Sequence, residues 1–160
     1  MHADAQAIVD ALELAPHPEG GFYRETFRSP LLVSVPARER PASTAIYFLL
    51  AAGTFSALHR VLSDEVWHHY DGDSVELHTI DAAGVHDVAL LGRRLALGER
   101  PQRVVPAGVW QAALPIGRFA FCGCTVAPGF DFEDFEMPTR AHLTGLYPHL
   151  GPLITRLTLR

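Results

Sequence analysis

The sequence contains no lysine: all 13 of its basic residues are arginine, spread from Arg24 to Arg160 without clustering. That absence removes Schiff-base chemistry, a lysine beneath a nucleotide phosphate and a lysine general base in one step. Charge is also sparse, at 19% of residues, and the net charge is −5, so neither a phosphate-binding face nor a nucleic-acid partner is expected. No run approaches the roughly 18 apolar residues of a membrane-spanning helix. Met1 is followed by His2, Ala3 and Asp4 rather than by a basic and then an apolar segment. No secretory leader or membrane partner is expected, and a cytoplasmic protein is. No serine sits in a Gly-x-Ser-x-Gly elbow, which leaves serine hydrolysis without support. Cysteine is scarce as well. Cys122 and Cys124 are two apart on a strand-like run, so their side chains share a face roughly 6.6 Å apart. That geometry does not suit an unstrained disulfide, and the pair reads as two buried, reduced thiols without a functional role.

What the chain has is apolar residues and turns. Hydrophobic residues make up 48% of the 160, enough for one folded domain over 1–160, and not the composition of a disordered chain or a coiled coil. Ile8, Val9 and Leu12 fall on one helical face after Asp4, a possible cap, and Pro16 ends the segment. From Phe22 the pattern changes to short β-type runs bounded by glycine and proline: 22–27, 44–50, 55–60, 65–70, 75–80, 85–91, 103–105, 109–114 and 119–126. This rhythm predicts an all-β sandwich or closed β-barrel, jelly rolls included. The stretch from Pro30 to Pro41 reads as the longest loop, placed to act as a lid. Helical signals return after Pro138, with Thr139 as an N-cap and a second short segment from His149 to Arg156.

Two stretches carry more than fold information. In 53–72, Gly53, His59, Glu65 and Gly72 follow the order Gly, five residues, His, one residue, His, three residues, Glu, six residues, Gly, with Val61 at the second histidine position. In 106–111, Pro106, Gly108 and Gln111 follow Pro, one residue, Gly, two residues, His, with glutamine in the histidine place. Together these resemble the two motifs of the cupin superfamily. The segments 17–26, 63–68, 105–112 and 124–131 further resemble a family of small single-domain cupins, largely of unknown function. The resemblance implies a jelly-roll β-barrel over about 20–136 with short flanking helices at both termini, a homodimer, and a small-molecule ligand in an interior pocket.

Strand alternation then places side chains. If His59 faces inward so do Ala57 and Val61, and if Glu65 does so do Trp67 and His69. The expected pocket has His59, Glu65 and Gln111 as its polar set, with Trp67, His69 and an aromatic such as Tyr47 or Phe48 as wall. A four-ligand cupin site uses three imidazoles and a carboxylate, a set suited to divalent transition metals. Here only His59 and Glu65 remain of it, with Gln111 as a weak third ligand and His69 as a possible addition off the pattern. Without a metal, His59 beside Glu65 makes an acid–base pair, Glu65 fixing the tautomer and Gln111 hydrogen-bonding a substrate. Three functions follow as expectations: a metal-independent epimerase or isomerase acting on a small polar metabolite, a non-catalytic ligand-binding cupin, and a metal-dependent cupin enzyme such as a dioxygenase.

The remaining features read as structural. His17-Pro18-Glu19-Gly20-Gly21 reads as a turn into the first strand. Either Arg24 and Thr26 or Tyr23 and Glu25 share the inner face of that strand, with Arg24 expected in an exposed ion pair. Asp131, Glu133, Asp134 and Glu136, interleaved with Phe130, Phe132 and Phe135, lack the spacing of a calcium loop and read as an ordered loop pinned by its phenylalanines. His2, His78, His86, His142 and His149 read as surface or structural.

Overall fold

The computed structural model describes residues 1–159. In chain order its elements are α1 (Ala3–Ala11), β1 (Ala15–Pro16), β2 (Phe22–Arg28), β3 (Leu32–Val35), β4 (Arg38–Pro41), β5 (Thr44–Ala51), β6 (Ser56–Val61), β7 (Asp64–Gly72), β8 (Val75–Ile80) and β9 (His86–Leu91). There follow β10 (Gln102–Val105), β11 (Trp110–Pro115), β12 (Phe119–Ala127), β13 (Phe135–Glu136), α2 (Arg140–Leu146) and α3 (Gly151–Leu157). A six-stranded sheet in the order β1-β2-β5-β12-β7-β10 faces a five-stranded sheet in the order β13-β6-β11-β8-β9. All pairings within them are antiparallel, the jelly-roll arrangement in which two sheets curl over one interior.

Three apolar clusters hold these layers. Between the sheets lie Phe48, Leu50, Trp67, Val75, Leu77, Leu91, Cys122 and Cys124. Helix α1 covers part of the outer face of the six-stranded sheet with Ala5 and Val9 against Leu49, Ala51 and Phe119. On the opposite side, α2 and α3 cover Leu58, Ile80, Trp110 and Ala112 with Leu143, Ile154 and Leu157. The terminal helices therefore flank the sandwich on both sides, each paired to a sheet face that would otherwise stand apolar in water. No helix among the described residues is long and apolar enough to cross a membrane.

Two local expectations are corrected. His2, not Asp4, caps α1: its imidazole accepts the backbone N–H of Asp4, which sits in the first turn. The stretch from Pro30 to Pro41 is not a loop but a hairpin, β3 paired to β4, whose turn places Ala37 at φ 65°. The hairpin is fastened to the body of the protein by charge. Arg40 donates from Nε and Nη2 to the two oxygens of Asp134 at 2.9 and 3.0 Å, and also to Glu133 at 3.0 Å. Asp134 and Arg40 are both buried, Arg38 Nε lies 3.2 Å from the same carboxylate, and buried charges in this geometry are costly to separate. Arg40→Met is expected to lower stability in urea denaturation by about 2 kcal/mol, because Arg38 still pairs Asp134, and Asp134→Leu, which takes the shared carboxylate from both arginines, by about 3–5 kcal/mol.

Candidate functional site

A cavity of about 310 Å³ lies between the sheets at one end of the sandwich. Four of its polar groups come from three places: His17 and Glu19 in the turn between β1 and β2, His59 on β6, and Glu65 on β7. Phe48, Ile46, Val61 and Val126 form the strand walls, and Phe130, Phe132 and Phe135 close the space from the segment after β12.

The turn explains why two of the polar groups point inward. His17 N–H bonds to the carbonyl of Gly21 and Gly20 N–H to that of His17, both at 3.0 Å, so five residues reverse the chain. Gly20 and Gly21 sit at φ 111° and 74°, values that disfavour any side chain. At Gly20 an added Cβ would also overlap the carbonyl of Phe55. With the backbone pressed against β6 in this way, Ala57 N–H reaches the carbonyl of Glu19 at 2.8 Å, and the Glu19 side chain has nowhere to go but inside. Its Oε1 accepts the Ser56 hydroxyl at 2.7 Å, and its Oε2 lies 3.4 Å from Nδ1 of His59 and 3.6 Å from Nδ1 of His17.

His59 is oriented by its own strand: Nδ1 donates to the carbonyl of Ala57 at 2.8 Å. Glu65 is held from the other side. Gln111 donates from Nε2 to Glu65 Oε2 at 2.5 Å, and the Gln111 amide oxygen accepts the indole N–H of Trp67 at 2.8 Å. Burial dominates the protonation of every group here. It pushes the Glu19 carboxyl up to about 8, against a smaller opposing effect of Ser56. It raises Glu65 above the ordinary carboxylate range, with His59 pulling the other way. It lowers His59, opposed by Glu65, and takes His17 down to about 4, with His59 adding to the effect. At neutral pH the imidazoles are uncharged and Glu19 is protonated.

The structure brings His59 and Glu65 to one cavity but arranges the rest differently from the alternation argument. The carboxyl beside the His59 imidazole nitrogen is Glu19, so Glu65 does not orient His59. Trp67 and Gln111 are fully buried and stand behind Glu65 rather than on the cavity surface. Tyr47 is on the other face of β5, against Phe121 and Tyr70, because it pairs with Gly123 while the inward Cys122 pairs with Phe48; Phe48 is the wall residue. His69 shares the inward parity of Trp67 but lies at the far end of the sandwich. There it bonds to the carbonyl of Asp73 at 2.9 Å and lines a separate space with Arg93, Arg94 and Glu99.

On β2, Tyr23 and Glu25 face inward, and Arg24 pairs outside with Glu13 at 2.7 Å. A bulge after Glu25 turns Arg28 inward too, where it grips Glu25 with two bonds of 3.0 and 2.8 Å at the cavity rim. Cys124, read as structural, lines the cavity, although burial keeps its thiol well above the ordinary range. The residues that sequence reasoning missed are His17 and Glu19. The signal available was a histidine and a glutamate inside a Gly-Gly turn, an unusual place to spend two ionisable residues.

A family model described as Cupin superfamily (DUF985) matches residues 6–138. The chain is a cupin. This cupin is 35% identical to a hypothetical protein from Leishmania major, with a TM-score of 0.92 over 98% of this chain and 99% of that one. It is 38% identical to the protein SO0799 from Shewanella oneidensis, with a TM-score of 0.90 over 99% and 98%. It is also 28% identical to the uncharacterised protein YML079W of Saccharomyces cerevisiae, over 81% of this chain and 72% of that protein. Oxalate decarboxylase from Bacillus subtilis shares the fold alone, at 16% identity and a TM-score of 0.57 over 89% of this chain and 36% of that one.

The four-ligand metal site that the superfamily implies does not fit these residues. Val61 has no donor atom, and the one liganding atom of Gln111, its amide oxygen, is already taken by Trp67. Among the described residues no three His, Cys, Asp or Glu side chains are grouped to hold a metal ion. The assignment of His59, Glu65 and Gln111 as ligands is therefore withdrawn.

Glu19 gives a pH test. Its carboxyl ionises near 4.5 in the unfolded chain and at about 8 in the folded one, so the folded state holds the extra proton between those values and stability falls as pH rises through them. Glu19→Gln, which keeps the Ser56 acceptor and cannot ionise, is expected to match the parent below pH 4.5. It should exceed the parent by on the order of 2–4 kcal/mol near pH 8, read by urea denaturation across pH. Equal slopes for both proteins would show Glu19 to be ionised in the fold.

Proposed function

We propose that this cupin is a metal-independent enzyme that moves a proton on a small polar metabolite, of the epimerase or isomerase type, with His59 as its base. The observation that carries this reading is the state of His59. A carbonyl oxygen can only accept, so the bond to Ala57 puts the ring proton on Nδ1 and leaves the Nε2 lone pair facing the cavity. An uncharged imidazole, fixed in one tautomer and opening on an aromatic-walled cavity, is what a general base near neutral pH requires. Glu65 stands near enough for its charge to oppose the effect of burial on His59, so an imidazolium formed during turnover has a carboxyl at hand to take up its proton or answer its charge. The aromatic walls suit the apolar face of a small ring or chain, with the polar groups gathered at one end.

A second reading has one observation in its favour. Glu65, Gln111 and Trp67 satisfy one another within the protein, as the lining of a binding cavity without turnover would. The two readings separate in heavy water. Incubation of the protein with a small-metabolite extract in D2O should place deuterium on a carbon-bound position of one compound, and His59→Gln should slow that labelling by about a thousandfold while the compound still binds. Binding without any labelling by the parent protein would establish the binding role instead.

A further inference from the structure

We propose that His17 is the hydrogen-bond donor that works opposite His59, and that the pair selects a small uncharged hydroxycarbonyl compound. This rests on the proton-transfer reading above and adds to it a second residue and a substrate class. At His59 a carbonyl accepts from Nδ1, at 2.8 Å. At His17 the opposite holds: Nδ1 accepts the backbone N–H of Glu19, at 3.2 Å. An N–H can only donate, so Nδ1 of His17 is the bare nitrogen and the ring proton is on Nε2. The chain thus fixes two neutral imidazoles in opposite tautomers, one presenting a lone pair and the other an N–H.

Both rings line the same cavity, and both Nδ1 atoms lie within 3.6 Å of the same Glu19 oxygen. Neither Nε2 has a hydrogen-bond partner among the described residues, and neither is among the side-chain atoms sealed from solvent without one, so both open on the space. The His17 ring is held in place by aromatic contacts, edge-on to Tyr23 at 4.5 Å and to Phe48 at 5.8 Å, and stacked on Phe132 at 6.2 Å. It cannot turn over without breaking them.

A donor and an acceptor fixed around one space fit a carbonyl oxygen beside a carbon that bears an acidic hydrogen. His59 Nε2 takes the proton from that carbon. The C–H electron pair becomes the C=C bond, and the carbonyl π pair moves onto oxygen, where Nε2–H of His17 meets the charge. The imidazolium of His59 then returns the proton to the same carbon or, after a proton moves between the two oxygens of the enediolate, to its neighbour. No oxidant or other reactant is consumed. The compound's buried end is uncharged because nothing inside offers a free counter-charge: Arg28, the one arginine lining the cavity, is paired with Glu25, and an unpaired charge taken there would be heavily penalised.

The test uses the full-length protein with 15N-labelled histidine. Two-bond proton–nitrogen correlation at neutral pH should show His17 protonated on Nε2 and His59 on Nδ1. Acetohydroxamate, a planar enediolate mimic, should bind and shift the His17 Nε2–H signal, and His17→Phe, which keeps the ring packing, should weaken that binding about tenfold or more. His17→Gln, with its amide donor, should restore part of it. The two histidines in the same tautomer, absence of saturable hydroxamate binding, or equal binding by His17→Phe would each overturn the proposal. The tautomer measurement needs no variant, so it decides even if a substitution prevents folding. Opposite tautomers with hydroxamate bound as expected, but no deuterium placed on any metabolite, would sink the enzyme reading and leave the donor–acceptor pair as a binding device.

Discussion

Glu19, His59, Glu65 and Gln111 are all buried, and an interior built mainly of aromatic and aliphatic side chains tolerates them only because each is fixed by a partner. Everything particular about the site follows from how those partners are supplied. Backbone atoms set the tautomers of both imidazoles. Ser56 occupies one oxygen of Glu19, and Gln111, stretched between Trp67 and Glu65, uses both ends of its amide. A histidine in the Gln111 position would carry its donor and its acceptor on a rigid ring, in place of the two adjacent ends of one amide that meet Trp67 and Glu65 here. The glutamine thus changes the chemistry of the cavity from that of a metal site to that of a hydrogen-bonded one.

The cavity lies at one end because the rest of the interior is filled. Trp67, Leu77, Leu91 and Phe48 pack the centre, and beyond them His69 belongs to a different polar neighbourhood with Glu99 and Arg94. At the open end the two sheets are joined by segments that are not long strands: the Gly20–Gly21 turn on one side and the Phe130 to Phe135 segment on the other. The second of these ends in β13, which pairs with Val61 and Arg60 of β6 and brings the Phe135 ring to 5.4 Å from that of His59. Polar groups therefore reach the cavity from the N-terminal turn and the inner strands, and apolar walls from those same strands and from the chain after the last long strand.

Most of the strand framework was legible in the sequence, because alternation and turn residues act locally: the run 75–80 matches β8 end to end, and Thr139 caps α2 as read. The motif spacing led to the right pair of strands for His59 and Glu65. What could not be read has physical causes. Tyr47 and Phe48 lie in β5, a strand covered on both faces over much of its length, where hydrophobicity no longer marks which side is inward. His17 and Glu19 lie in a turn, to which no periodicity applies, and their direction is set by contact with β6, remote in sequence. The hairpin of β3 and β4 carries prolines and charges that read as loop, and it is held by Arg40 against Asp134, a pairing across more than ninety positions that no local pattern encodes.

That ion pair also ties the cavity wall to the hairpin. Asp134 stands between Phe132 and Phe135, both on the cavity surface, while its carboxylate holds the outer hairpin through Arg40. For any path that runs past those phenylalanines, the wall moves aside only if the buried charges part or the hairpin travels with it. Loosening of the hairpin would thus reach the aromatic wall of a cavity whose lining does not include Arg40.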